Sequence, residues 1–208
     1  MKKIILTAII ALGIPSFLSA QKKGDFELGF NAGYNISSAT SYYVSTERGK
    51  GFNIGGSLNY YFTRSWSIEG KLIYDQKGWD NDRIEDDQGT SYNSDYNLNY
   101  LTVPIMANYY FGDDEKDKKN WFIEFGPYAG FLLSAKENRF GTDIKESFYK
   151  NDFGLTLGAG VKIPVMDKFN MFFELEWQRG FTNIFNHAST AIRNQRTSFN
   201  VGVNYLLQ

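Results

Sequence analysis

The chain has no cysteine, which excludes a disulfide framework and any thiolate metal site. It has a single histidine, His187. There is no excess of one charge: 22 Lys and Arg stand against 23 Asp and Glu, for a formal net charge of −1. A nucleic-acid-binding chain usually carries a basic excess, so that class of partner is disfavoured. Beyond residue 20 no apolar run approaches the roughly 20 residues of a membrane-spanning helix. What the chain has instead is 17% aromatic residues and 20 glycines. Its length suits one domain of ordinary size.

Residues 1–20 are of a different character. Lys2 and Lys3 form a basic start, Ile4 to Ile14 an apolar core, and Ser19-Ala20 a small-residue cleavage site before Gln21. This is the pattern of a secretory signal peptide, with an apolar run too short to span. The expected organisation is a signal peptide over 1–20 and a single domain over 21–208.

That domain is organised around Asp152 to Gly180. Phe153, Leu155, Leu157, Ala159, Val161 and Ile163 share one parity, against Asp152, Gly154, Thr156, Gly158, Gly160 and Lys162. The pattern then repeats, with Met171, Phe173, Leu175 and Trp177 against Asn170, Glu174, Glu176 and Gln178. Strict alternation is a strand signal, because successive side chains point to opposite faces. The five residues Pro164 to Lys168 read as the turn between two arms. Each arm has the length that a tilted strand needs to cross a bilayer.

The same alternation recurs along the chain. It predicts strands over Asp25–Ile36, Gly51–Phe62, from Trp66 to about Lys77, Leu98–Phe111, Trp121–Ala135 and Arg196–Gln208. Ser37–Lys50, Trp79–Asn97, Lys136–Asn151 and Phe181–Gln195 read as long polar loops. Short turns separate the remaining pairs, including the charged run Gly112 to Asn120. Eight strands with alternating long and short connections predict an all-β, eight-stranded antiparallel up-and-down transmembrane β-barrel. The even count places both termini on the periplasmic side, with the long loops outward.

Each face then has a job. Trp66, Trp121, Trp177, Tyr60, Tyr109, Phe111 and Tyr205 lie on the apolar parity near strand ends, where interfacial aromatic girdles sit. The other parity carries Glu27, Glu69, Lys71, Glu124, Lys162, Glu174 and Glu176 among glycines. An eight-stranded barrel has little free bore. These charges are expected to pair inside it, since an unpartnered buried charge is costly.

Several stretches, quoted in chain order, carry a family resemblance: Tyr74-x-Gln76-Lys77-Gly78, Tyr100-Leu101-x-x-Pro104, Phe125-Gly126-Pro127-Tyr128-x-Gly130, Asp152-Phe153-Gly154 and Gly180-Phe181-Thr182-Asn183-Ile184. With them the chain resembles the PorT-like family of outer-membrane β-barrel domains of Gram-negative bacteria. The resemblance implies an outer-membrane barrel after signal removal. For function it implies little: one member is associated with the type IX secretion and gliding machinery, and most members have no assigned activity. It brings no catalytic or ligand residues. The chain ends Leu-Leu-Gln instead of in the terminal aromatic of a common barrel-assembly signal, a role that Tyr205 could fill.

Candidate sites are few. His187 with Ser189 nearby invites comparison with a lipid-modifying triad, but the pattern fits a solvated loop better. Asp80, Asp82, Glu85, Asp86 and Asp87, balanced only by Arg83, could hold calcium. Their spacing lacks the EF-hand pattern and reads as a diffuse acidic loop. Glu69, Lys71, Glu124, Lys162, Glu174 and Glu176 could line a narrow pathway, and read better as a paired network. Pro104 and Pro127 are expected at bulges or local edges. Gly154, Gly158 and Gly160 make room for inward side chains, with no following helix to hold phosphate. No catalytic, cofactor or metal residue is expected. The function expected is non-enzymatic, structural or interactive, in the cell outer membrane, with a secretion-accessory role as a narrower version that rests on the family resemblance alone. Its partners are membrane lipid and envelope or secretion proteins. The alternative is a small channel for ions or solutes.

Overall fold

The computed structural model describes residues 24–41, 46–85, 88–112, 120–186 and 190–207. Eight antiparallel strands follow in chain order: β1 (Phe26–Thr40), β2 (Glu47–Tyr61), β3 (Trp66–Glu85), β4 (Ser91–Gly112), β5 (Asn120–Glu137), β6 (Asn151–Met166), β7 (Phe169–Gly180) and β8 (Arg193–Leu207). Each pairs with its neighbour, and β1 closes on β8 from Phe26↔Leu207 to Thr40↔Arg193. The closed ring leaves no strand edge along the wall, as a bilayer requires of a sheet. The expected signal peptide lies outside the described residues.

The side-chain alternation sets the two faces. Phe30, Leu72, Ile105, Ile123, Leu157, Leu175 and Phe199 point outward and are exposed. Glu27, Lys71, Glu124 and Glu176 point inward and are buried. Aromatic pairs gather at the end that carries the termini: Phe26 with Tyr60 at 5.0 Å between ring centroids, Trp66 with Tyr109 at 4.9 Å, and Phe169 with Tyr205 at 4.8 Å. This end also carries the β2–β3 and β6–β7 turns and is called here the turn end.

Two expectations are corrected and a third, for the prolines, is narrowed from a bulge or local edge to a local edge. Trp79–Asn97 is not a loop: β3 and β4 run on as one hairpin, with pairs as far as Glu85↔Ser91. Beyond the membrane band an apolar face is no longer needed. Lipid-type alternation therefore fades while the backbone ladder continues. A bulge between Trp79 and Asp82, with Asn81 at φ 56°, offsets this extension. The β6–β7 turn is only Asp167-Lys168, because β6 continues through Pro164 to Met166 with a bulge at that point. Pro104 and Pro127 do not add a residue to either strand. The β4–β5 register is the same at Pro104↔Tyr128 and at Ala107↔Phe125, so only the ladder between is interrupted.

Candidate functional site

The inward faces converge on a lumen filled by three connected polar layers. At the turn end, Glu27 accepts from Lys162 Nζ at 2.6 Å, Asn204 Nδ2 at 2.9 Å and the Tyr61 hydroxyl at 3.2 Å. Lys162 also donates to Tyr61 at 2.9 Å and lies over the Tyr110 ring at 4.9 Å. Glu69 accepts from Asn108 Nδ2 at 2.9 Å.

The middle layer is built on Lys71. Its Nζ lies 2.9 Å from Glu124, 3.0 Å from Glu174 and 3.5 Å from Glu176. Arg196 pairs with Glu176 and, at 2.7 Å, with Asp75. Asn200 donates to Glu174 at 2.9 Å, and Asn35 to Asp75 at 2.9 Å. Gly158 provides the space: a Cβ there would lie 2.6 Å from Glu124 Oε1. The three glutamates could group around a metal ion, but the Lys71 ammonium already occupies the place of a cation among them.

Toward the opposite end, Lys77 Nζ sits 3.6 Å from both Asp75 and Asp152 and lies over the rings of Tyr100 and Tyr128. Asp152 accepts from Tyr128 at 3.0 Å and Asn194 at 2.9 Å. Gly154 leaves room for Tyr128, whose ring would be 2.7 Å from an added Cβ.

Above this layer the polar interior stops. Trp79, Leu98, Tyr100, Leu132 and Ala135 from the strands pack with Phe148 and Ile184 from the two loops at 138–150 and 181–192. Phe148 is 2% exposed and Ile184 is fully buried. The loops are joined to each other: Tyr149 N–H donates to Ile184 O at 2.9 Å, Asn186 N–H to Ser147 O at 2.9 Å, and the Phe148 and Phe185 rings meet edge-on at 5.0 Å. An apolar plug thus covers this end of the lumen.

All seven charges expected inside are buried there, and the network joins them to Asp75, Lys77, Asp152 and Arg196. Arg196 was legible as a strand start but not as a lumen charge, because its partners come from other strands. The plug left no periodic signal at all. His187 and Ser189 lie outside the described residues, as do Asp86 and Asp87. Asp80 lies on β3 opposite Glu47, and Asp82 accepts from the Trp79 indole at 2.9 Å. Among the described residues, the acids of this hairpin do not converge as metal ligands.

A closed ring of eight membrane-length strands, with an apolar exterior and a packed polar lumen, is a transmembrane β-barrel. The family model described as outer membrane protein beta-barrel domain matches residues 19–186. The chain belongs to that family and is an outer-membrane protein. Among solved structures it is similar to Neisserial surface protein A, at 17% identity and TM-score 0.52, covering 86% of this chain and 96% of that one. It is also similar to OprG from Pseudomonas aeruginosa, at 13% identity and TM-score 0.54, covering 91% and 98%. At these identities the likeness shows the fold. No curated protein matches the sequence significantly.

Proposed function

We propose that this chain is a non-conducting, non-enzymatic barrel that acts through protein contacts in the envelope. The observation that carries this reading is the filled lumen beneath the apolar plug of Phe148 and Ile184. Paired charges take up the bore, and the buried loop side chains cover its end, which disfavours the small-channel alternative. With both termini at the turn end, the long loops and the β3–β4 hairpin face outward, available to a partner. The narrower role, an accessory of protein secretion, rests on the PorT-like resemblance of the motifs from Tyr74 to Ile184. Cleavage after Ala20 belongs to the same reading.

The test has two arms. A tagged copy extracted from its native outer membrane in mild detergent should bring down a stoichiometric envelope partner, and secretion components would support the narrower role. Purified barrel in a planar bilayer should give no steady conductance. A barrel that emerges alone and conducts ions would overturn the proposal in favour of the channel.

A further inference from the structure

At the turn-end half of the lumen the hydrogen-bonding groups do not balance. Asn59 Nδ2 donates to the Tyr110 hydroxyl at 2.8 Å, Asn108 Nδ2 to Glu69 at 2.9 Å, and Asn204 Nδ2 to Glu27 at 2.9 Å. Each of these three amides keeps a buried carbonyl oxygen with no partner. The charged donors nearby are committed. Lys162 serves Glu27, Tyr61 and, at 3.5 Å, Tyr110, while Lys71 serves Glu124, Glu174 and Glu176. What remains of these three amides is oxygen acceptors.

A cavity of about 10 Å³ lies beside one of them, Asn204, which lines it with Glu69, Glu174, Tyr110, Lys162 and two phenylalanines. Asn204 is 6% exposed, and its Oδ1 is one of the three unpartnered oxygens. The space has room for about one water-sized particle. A water could donate to two of the acceptors, but it would not correct the charge. Among the described residues, seven buried carboxylates in the lumen face four buried cations. Uncompensated charge in such an interior is costly.

We propose that the cavity between Glu69, Glu174 and Asn204 binds a small monovalent metal cation of the sodium class. An all-oxygen set of two carboxylates and an amide carbonyl suits a hard cation. Calcium would want six to eight oxygens, more than this small cavity presents. One added positive charge reduces the excess of acid and gives the Asn204 carbonyl oxygen a partner. The site is a stabilising ion site inside the wall, independent of which partner the barrel contacts.

The experiment measures thermal unfolding of the full folded barrel in detergent, by its heat-modifiable gel mobility. Sodium, potassium and N-methylglucamine chlorides are compared at equal ionic strength and pH. Sodium should raise the midpoint saturably, by about 3–6 °C at tenfold excess over half-saturation. Asn204→Leu and Glu69→Gln should fold and lose that sodium response. Sodium-23 relaxation of the unaltered barrel provides a readout that needs no variant, and should show saturable broadening that lithium displaces. Equal midpoints in all three salts with no saturable broadening would overturn the proposal, leaving protons or water to balance the lumen. So would a sodium response that Asn204→Leu and Glu69→Gln both retain.

Discussion

Replacing Lys71 with methionine keeps most of the unbranched stem of the side chain and removes its charge. The ammonium bridges three carboxylates at 2.9, 3.0 and 3.5 Å, and those three groups have oxygens within 4.8 Å of one another. Without it, Glu124 and Glu174 lose their only ion-pair partner among the described residues, while Glu176 keeps Arg196. Removing one partner of a buried pair typically costs about 3–5 kcal/mol. That is a large share of the roughly 5–15 kcal/mol that holds a typical domain folded. At about 2–4 °C per kcal/mol for a chain of this size, the midpoint should fall by about 6–20 °C. Urea unfolding of the barrel in lipid vesicles, followed by tryptophan fluorescence and gel mobility, measures the change. Asn200→Ala serves as the comparison, because it removes one hydrogen bond to Glu174 at about 1–3 kcal/mol. The Lys71→Met, Glu124→Gln double variant should be less destabilised than the two single effects added together. If Lys71→Met unfolds within about 1 kcal/mol of the unaltered protein, the lumen network is not what the geometry implies.

Three further outcomes are expected. Gly158→Val should weaken the barrel by about 1–3 kcal/mol, because its side chain would displace Glu124 from 2.6 Å away; the same urea assay reads it. Leu157→Arg, halfway along the lipid-facing run of β6, should cost about 2–4 kcal/mol in vesicles, while Tyr149→Arg in the exposed loop should be nearly neutral. Burial pushes the Glu137 carboxyl up, but hydrogen bonds from the Ser94 hydroxyl and the Phe140 and Arg139 N–H groups outweigh it and hold the group below the usual carboxylate range. Its stabilising effect is therefore complete above the unfolded pKa of about 4.3 and is lost as the pH falls through the lower folded value. Protection of the amides at residues 138–140, relative to their intrinsic exchange at the same pH, should fall below about pH 4, and Glu137→Gln should remove that pH dependence.

How much of this was legible in the sequence follows from which forces leave a periodic trace. Lipid demands an apolar residue at every second position, so Phe153 to Ile163 declared both a strand and its outward face. The inward charges were readable as the other parity, and their burial follows from closing eight strands. Nothing periodic links Arg196 to Asp75, or Phe148 to Ile184, because those contacts depend on how distant segments meet once the ring is closed. The extension of β3 and β4 was illegible for a related reason. Asp, Asn and Ser there resemble a loop, and only pairing such as Arg83↔Asn93 shows a strand.

That hairpin also has a use as a handle. From Asp82↔Ser94 to Glu85↔Ser91, β3 and β4 pair with each other and, among the described residues, with no third strand. The turn from Glu137 to Phe140 braces its side, with the Arg139 guanidinium 4.5 Å over the Tyr92 ring. A short epitope inserted between Gln88 and Gly89 would therefore ride at the tip of a stiff arm, with the wall and lumen untouched. Antibody labelling of whole cells would then report which side of the membrane the arm occupies. The same inserted tip could carry a foreign peptide clear of the surrounding surface, making the barrel a display scaffold.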